Sequence, residues 1–175
     1  MRDMLRQLTN EKGAEIAEAA VVLPITFMFL LGIVWFGRAF NIYSTITQAA
    51  QQGAIVAARL SCATCGNAQN NDTAVATAIN AVLQASHLDP AYIPTNSIPP
   101  TVTAACSDVA PAPACSGTNI VVCRSVILNP TGATDPPQCG AVVSFQYPFQ
   151  FYFPFTSLNL QTVTMTANAQ TRMEN

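Results

Sequence analysis

Charge is what this 175-residue chain lacks most: only 9% of its residues are Asp, Glu, Lys or Arg, against roughly a quarter in an average soluble domain. Lys12 is the only lysine and the formal net charge is −2. Nucleic-acid binding needs many Lys and Arg to meet the phosphates, so a basic nucleic-acid face is excluded. His87 is the only histidine, and the eight glycines stand singly. That leaves no glycine-rich phosphate loop and few ligands for zinc. Half of the chain is hydrophobic, which excludes pervasive disorder. The length suits one domain, or a small domain plus an anchor. What remains is a small domain tied to a membrane or buried in an assembly.

The few charges are unevenly placed. Arg2, Arg6 and Lys12 stand against Asp3 and Glu11, Glu15 and Glu18 follow, and the next charge is Arg38. Between them lie 19 residues, Ala19 to Gly37, rich in Val, Leu, Ile and Phe. As a helix they would cover ~28 Å, close to the hydrocarbon thickness of a bilayer. Trp35 and Tyr43 fall near the far end, where interfacial aromatics are favoured. Pro24 is expected to kink the helix, which a bilayer-embedded segment tolerates. Basic residues before the span predict a cytoplasmic N-terminus and an exported remainder. A secretory signal peptide is the competing reading, but its apolar core would be shorter and a small-x-small cleavage site would follow.

Here the helical pattern continues instead. AFNIYSTITQAAQQGAIVAARLS, residues 39–61, places Ala39, Ile42, Tyr43, Ile46, Ala50, Ala54, Ala57 and Ala58 on one stripe. Asn41, Ser44, Thr45, Gln48, Gln51 and Gln52 form the polar side. A single helix from about Ala14 to about Leu60 is predicted. Its lower half would lie in lipid, and its upper half needs a partner for the stripe. Three segments follow: 1–13 as a leader, 14–61 as a long helix spanning the membrane in its first half, and 62–175 as an exported domain.

All six cysteines, Cys62, Cys65, Cys106, Cys115, Cys123 and Cys139, come after the span. An even count on the exported side reads as three disulfides in an oxidising compartment, with the pairing left open. The C-A-T-C at Cys62 to Cys65 admits a zinc or a redox reading. Zinc would want a second close ligand pair, and a redox dithiol would want a βαβ setting. Structural bridging is favoured, with Cys62 and Cys65 closing a local loop at the helix end. His87 has no strained nucleophile turn to serve. Asp72, Asp89, Asp108, Asp135 and Glu174 are not paired at ligand spacing. No catalytic residue, metal site or cofactor is expected.

The exported part reads as α+β. Asp72 is expected to cap a helix from Thr73 to about Ser86. From Pro90 the texture changes: 11 of the 12 prolines lie between positions 90 and 154, which favours short strands joined by turns. Candidate strands are Thr101–Cys106, Ile120–Leu128, Ala141–Tyr147 and Val163–Thr171. The last alternates, with Val163, Met165, Ala167 and Ala169 facing one way. The loop carrying Pro111, Pro113 and Cys115, and another from Asp135 to Gln138, would be pinned by disulfides. The aromatic run Phe145 to Phe155 is either domain core or a contact surface; core is favoured, because Pro148 and Pro154 would bound a short turn. The expected fold is a long N-terminal transmembrane helix packed on a small antiparallel sheet with a second helix alongside.

The start of the long helix carries the sharpest information. Gly13 precedes Ala14-Glu15-Ile16-Ala17-Glu18, and a carboxylate at the mouth of an apolar segment is costly unless paired or functional. Were the chain cut after Gly13, the new α-amino group of Ala14 would lie beside Glu18, able to pair within or between subunits. Alternatively, Glu15 and Glu18 simply complement the helix dipole.

GAEIAEAAVVLP, the segment GIVWFGRAF at Gly32 to Phe40, and QAAQQGAIVAAR ending at Arg59 together resemble the N-terminal region of TadE-like proteins. These are pseudopilins or minor pilins of the tight-adherence (Tad/Flp) type IV pilus system. The resemblance spans about 47 residues, a quarter of the chain, and the closing TANAQTRMEN is similar to the way such proteins finish. It implies a pilin-like fold and a basic leader removed by a prepilin peptidase between Gly13 and Ala14. Glu18 would be the fifth-position glutamate used in processing or assembly, with Glu15 a second, less favoured candidate. It implies residence in the inner membrane or the pilus, with other pilin or pseudopilin subunits as partners and no catalysis. The alternative is an uncleaved, membrane-anchored exported module that binds a ligand or surface.

Overall fold

The computed structural model describes residues 11–59, 69–102, 106, 114–129, 136–150 and 162–173, with the backbone alone for residues 11–14. The chain divides into two compact units, Met1–Phe40 and Asn41–Asn175.

Helix α1, Glu11–Ala58, contributes to both. It begins before Ala14 and ends short of Leu60, with Pro24 inside it. Proline has no N–H, so the Ala20 carbonyl loses its partner four residues on. The hydroxyls of Thr26, Thr45 and Thr47 turn back and donate to the carbonyls of Val22, Asn41 and Tyr43 at 2.8, 3.0 and 2.8 Å. Hydroxyls satisfied in this way sit in a helix without an outside partner.

The second unit is α+β. Helix α2 spans Asp72–Ala85, followed by a 3-10 turn at Pro90–Tyr92. Four strands, β1 (Ala114–Ser116), β2 (Ile120–Ile127), β3 (Cys139–Gln150) and β4 (Thr162–Arg172), form one antiparallel sheet in the order β1-β2-β3-β4. The cap of α2 is Asn71, not Asp72: its Oδ1 accepts from the Ala74 N–H at 2.9 Å, and Asp72 is the first helical residue. Asn prefers the cap as strongly as Asp does, and the acid gains at the next position from the helix dipole.

Three strand expectations have counterparts in β2, β3 and β4. In the fourth, Thr101 and Val102 are not in a strand and Cys106 is in a bend, while 103–105 lie outside the described residues. Cys115, expected in a loop, is central in β1. Pro148 does not bound a turn; it lies within β3, opposite Thr164. The pairing of β3 with β2 stops at Ile120–Phe145, so among the described strands Pro148 neighbours β4 alone, the setting that tolerates a missing N–H.

The main core joins the second unit's part of α1 to α2 and one face of the sheet. Ile46, Ala49, Ala50, Ala54 and Ala57 meet Val75, Ile79 and Leu83 of α2, together with Val143, Phe145 and Tyr147 of β3. Small side chains on α1 permit the close approach. A β-carbon at Gly53 would lie 2.7 Å from Ile79 Cδ1 and 3.5 Å from Val143 Cγ1. The buried stripe is wider than expected, taking in Ala49 and Gly53, and it differs at Tyr43 and Thr45. Tyr43 is 51% exposed, while Thr45, assigned to the polar side, is buried because its hydroxyl is satisfied within the helix. Phe145, Tyr147 and Phe149 are core residues; Phe151 to Phe155 lie outside the described residues.

The other face of the sheet carries a smaller cluster of Val121, Cys123, Val126 and Val142, with Val102 and Leu128 against it. Between Cys123 and Val126 the register of β2 on β3 shifts by one residue, a bulge at which Ser125 takes a φ of 54°. The Ser125 carbonyl accepts from the Cys106 N–H at 2.7 Å, tying the crossing segment to the bulge.

Candidate anchoring and assembly site

In the first unit the apolar residues are turned outward. Ile16, Val21, Leu23, Phe29, Ile33 and Phe36 are all exposed, as are most other large side chains of the stretch, while Leu31 and Trp35 are half-buried. α1 is long and apolar enough to cross a membrane, with a mean hydropathy of 2.4 over its most apolar 18-residue window, none of it buried. A helix apolar on every side and unburied is soluble only in lipid or inside an assembly. At the far end, the Arg38 guanidinium lies 5.6 Å from the Trp35 ring centroid, one helical turn apart. An Arg–Trp pair suits a membrane–water boundary, because each side chain has an apolar body and a polar group.

Gly13 and Ala14 lie in the first turn of α1, and Glu15 and Glu18 are exposed on the helix just before the charge-free stretch. The apolar exposure also continues beyond Arg38. Phe40 is 73% exposed, and Tyr43, already in the second unit, is half exposed. Ile33, Phe36, Phe40 and Tyr43 recur at alternating three- and four-residue steps, the spacing of a helix–helix seam.

The second unit is held by covalent and ionic ties. Cys106 is bonded to Cys139, and Cys115 to Cys123 across a registered pair of β1 and β2. Cys62 and Cys65 lie outside the described residues, as does Asp135 of the second expected loop. Arg124, beside the bulge, donates from Nη1 to Asp72 Oδ1 at 2.6 Å and from Nη2 to the Asn70 carbonyl at 2.7 Å. Burial pushes the Asp72 carboxyl upward, but hydrogen bonds from Ser116 and Arg124 and the Arg124 charge outweigh it and hold it below its ordinary value. The Tyr147 hydroxyl donates to the Asp89 carbonyl at 3.2 Å, and burial raises its pKa. Sequence reasoning missed Arg124, although a lone arginine inside the apolar run IVVCRSVI was the available signal.

His87 has a backbone role. It follows the C-cap Ser86 with a φ of 58°, and its N–H donates to the Gln84 carbonyl at 3.0 Å. The Leu88 N–H donates to the Leu83 carbonyl at 2.9 Å, and Leu88 packs on the core. This is a Schellman-type helix end. Among the described residues no group of three or more His, Cys, Asp and Glu is placed to hold a metal ion. An open groove of about 570 Å³ runs between Thr73, Ala76 and Asn80 of α2 and the hairpin tip at Gly117–Ile120. Asp72, whose carboxylate is bonded to Arg124, also lines it.

Comparison with known proteins places a family on α1. Residues 13–54 match the family model described as TadE-like protein. The match ends within the small-residue stripe of α1, and the strands and disulfides lie beyond it. No curated protein and no solved structure matches the chain.

Proposed function

Proceeding from a TadE-like segment at residues 13–54, a family associated with the Tad pilus, we propose that this chain is a non-enzymatic pseudopilin or minor pilin that takes part in pilus assembly. The observation that carries the reading is a coincidence of two findings on one helix. Most of the family match lies on the apolar, unburied part of α1, with Glu18 just before the charge-free stretch. A prepilin peptidase cuts between Gly13 and Ala14, so that residues 1–13 are a leader and 14–61 begin the mature protein. The helix crosses the inner membrane once with its N-terminus cytoplasmic, and residues 62–175 form the exported domain.

Glu18 is the assembly residue. A carboxylate next to lipid is tolerated when it finds a cation, and the freed α-amino group of Ala14 on the same or a neighbouring subunit supplies one. Glu15 is the weaker candidate. The exposed seam of Ile33, Phe36, Phe40 and Tyr43 supports helix-to-helix contact with other pilin or pseudopilin subunits.

The test is the N-terminus of the protein taken from its native membrane. A start at Ala14 is expected, whereas an intact Met1 start would overturn the reading in favour of an uncleaved anchored module. Glu18→Ala should leave insertion intact and reduce piliation.

A further inference from the structure

Natural sheets guard their outer strands with proline, bulges, inward charges or short length, because a free strand edge invites another strand. Among the described residues β4 has none of these guards. It is the outer strand of the four, eleven residues long, and among them it pairs with β3 alone. Its register on β3 is unbroken from Gly140–Arg172 to Gln150–Thr162. It contains no proline, and its only charge, Arg172, is its last residue. The side chains of Thr162, Thr164, Thr166, Asn168 and Gln170 are exposed on one face, while Ala167 is buried on the other.

The strand is also complementary to itself. Turned antiparallel about Ala167, it sets Thr166 opposite Asn168, Thr164 opposite Gln170 and Thr162 opposite Arg172 on the polar face. On the other face Met165 meets Ala169, and Val163 meets Thr171. The pairs on the polar face match in polarity, Met165 meets the small Ala169, Val163 meets the similarly shaped Thr171, and no like charges oppose. We propose that β4 is an interaction edge at which a second copy of this chain adds its own β4, antiparallel and centred on Ala167, joining two four-stranded sheets into one. The inference stands on the sheet and its sequence, independently of the pilus reading.

The test uses the full-length chain in membranes, with a benzophenone amino acid at Thr164 and a mixture of isotopically light and heavy copies. Irradiation should give a species of twice the mass, with position 164 joined to the Thr162–Arg172 segment of the other copy. In Thr166→Lys/Asn168→Lys, like charges face each other twice across the centre, and cross-linked dimer should fall roughly five- to tenfold. In Thr166→Lys/Asn168→Glu, the same positions become opposite charges, and the dimer should persist; this variant also controls for folding. Cross-links confined to one copy, cross-links to a different protein, or equal yields from the two charge variants would each overturn the proposal. Contact through α1 alone would leave the double-lysine variant dimeric, which sinks edge pairing and leaves the mature start at Ala14 untouched.

Discussion

Arg124 reaches back 52 positions from β2 to Asp72, the first residue of α2, and bonds it at 2.6 Å. The same guanidinium holds the Asn70 carbonyl, so one strand side chain fixes where α2 starts. Arg124 is 14% exposed and Asp72 42%. Arg124→Ala loses both bonds and a largely buried stem, whereas Asn at position 72 still offers the guanidinium an acceptor, so the first change costs more. Arg124→Ala should lower unfolding stability by about 2 kcal/mol, and Asp72→Asn by under about 1 kcal/mol. Arg124→Met with Asp72→Asn should recover part of the loss. Urea titration of the solubilised, disulfide-intact chain measures all three.

The same pair sets an acid limit. The folded Asp72 carboxyl titrates below its ordinary value of 3.8, so in acid the unfolded state binds more protons than the folded one. The pair's contribution is complete above the unfolded value and disappears as pH falls through the folded one. Stability measured downward from pH 5 should decline for the native chain, and Arg124→Met should flatten that decline.

His87 is conformationally costly where it stands, since its left-handed φ suits glycine. His87→Gly should raise stability by about 0.5–1 kcal/mol, and His87→Val should lower it by about 1 kcal/mol. Piliation should be unchanged by His87→Gly. A loss of function with a well-folded glycine variant would give the imidazole a role that its surroundings do not suggest.

Gly53 and Ile79 form a second coupled pair. Gly53→Leu should cost about 2–3 kcal/mol by overpacking against Ile79 and Val143. Ile79→Val trims the atom nearest to a new β-carbon, so it should cost less in a Gly53→Ala background than alone. A double-mutant cycle reads the coupling directly.

Non-reducing peptide maps should show Cys106–Cys139 and Cys115–Cys123, with Cys62–Cys65 as the third bridge. Loop-closure entropy ranks the two described bridges. Their separations of 33 and 8 residues correspond to about 3.7 and about 2.5 kcal/mol. Cys106→Ala/Cys139→Ala should therefore lower the unfolding midpoint more than Cys115→Ala/Cys123→Ala.

Sequence reading succeeded where one physical signal dominated. Nineteen uncharged residues marked the part of α1 that is apolar enough to cross a membrane, and strict alternation marked β4. It went astray where a neighbour decided the outcome. Pro148 reads locally as the edge of a turn, because nothing near it in the sequence says that β2 stops before reaching it. Thr45 falls on the polar side by residue type, yet its hydroxyl's bond to the Asn41 carbonyl lets it be buried. β1 is three residues long, too short to show a period. The clamp on Asp72 joins positions far apart in the chain, and spacing carries no trace of it.

The bulge in β2 has a consequence for how this chain tolerates change in length. Val121 and Cys123 are two apart, as one face of a strand requires, yet Val126 joins the same cluster three residues later. Ser125 is the residue that makes the count odd. Deleting it would leave a regular ladder with every letter around it intact. Val126 would then stand two residues after Cys123 and keep its side of the sheet, whereas straightening the bulge with Ser125 retained would turn Val126 over.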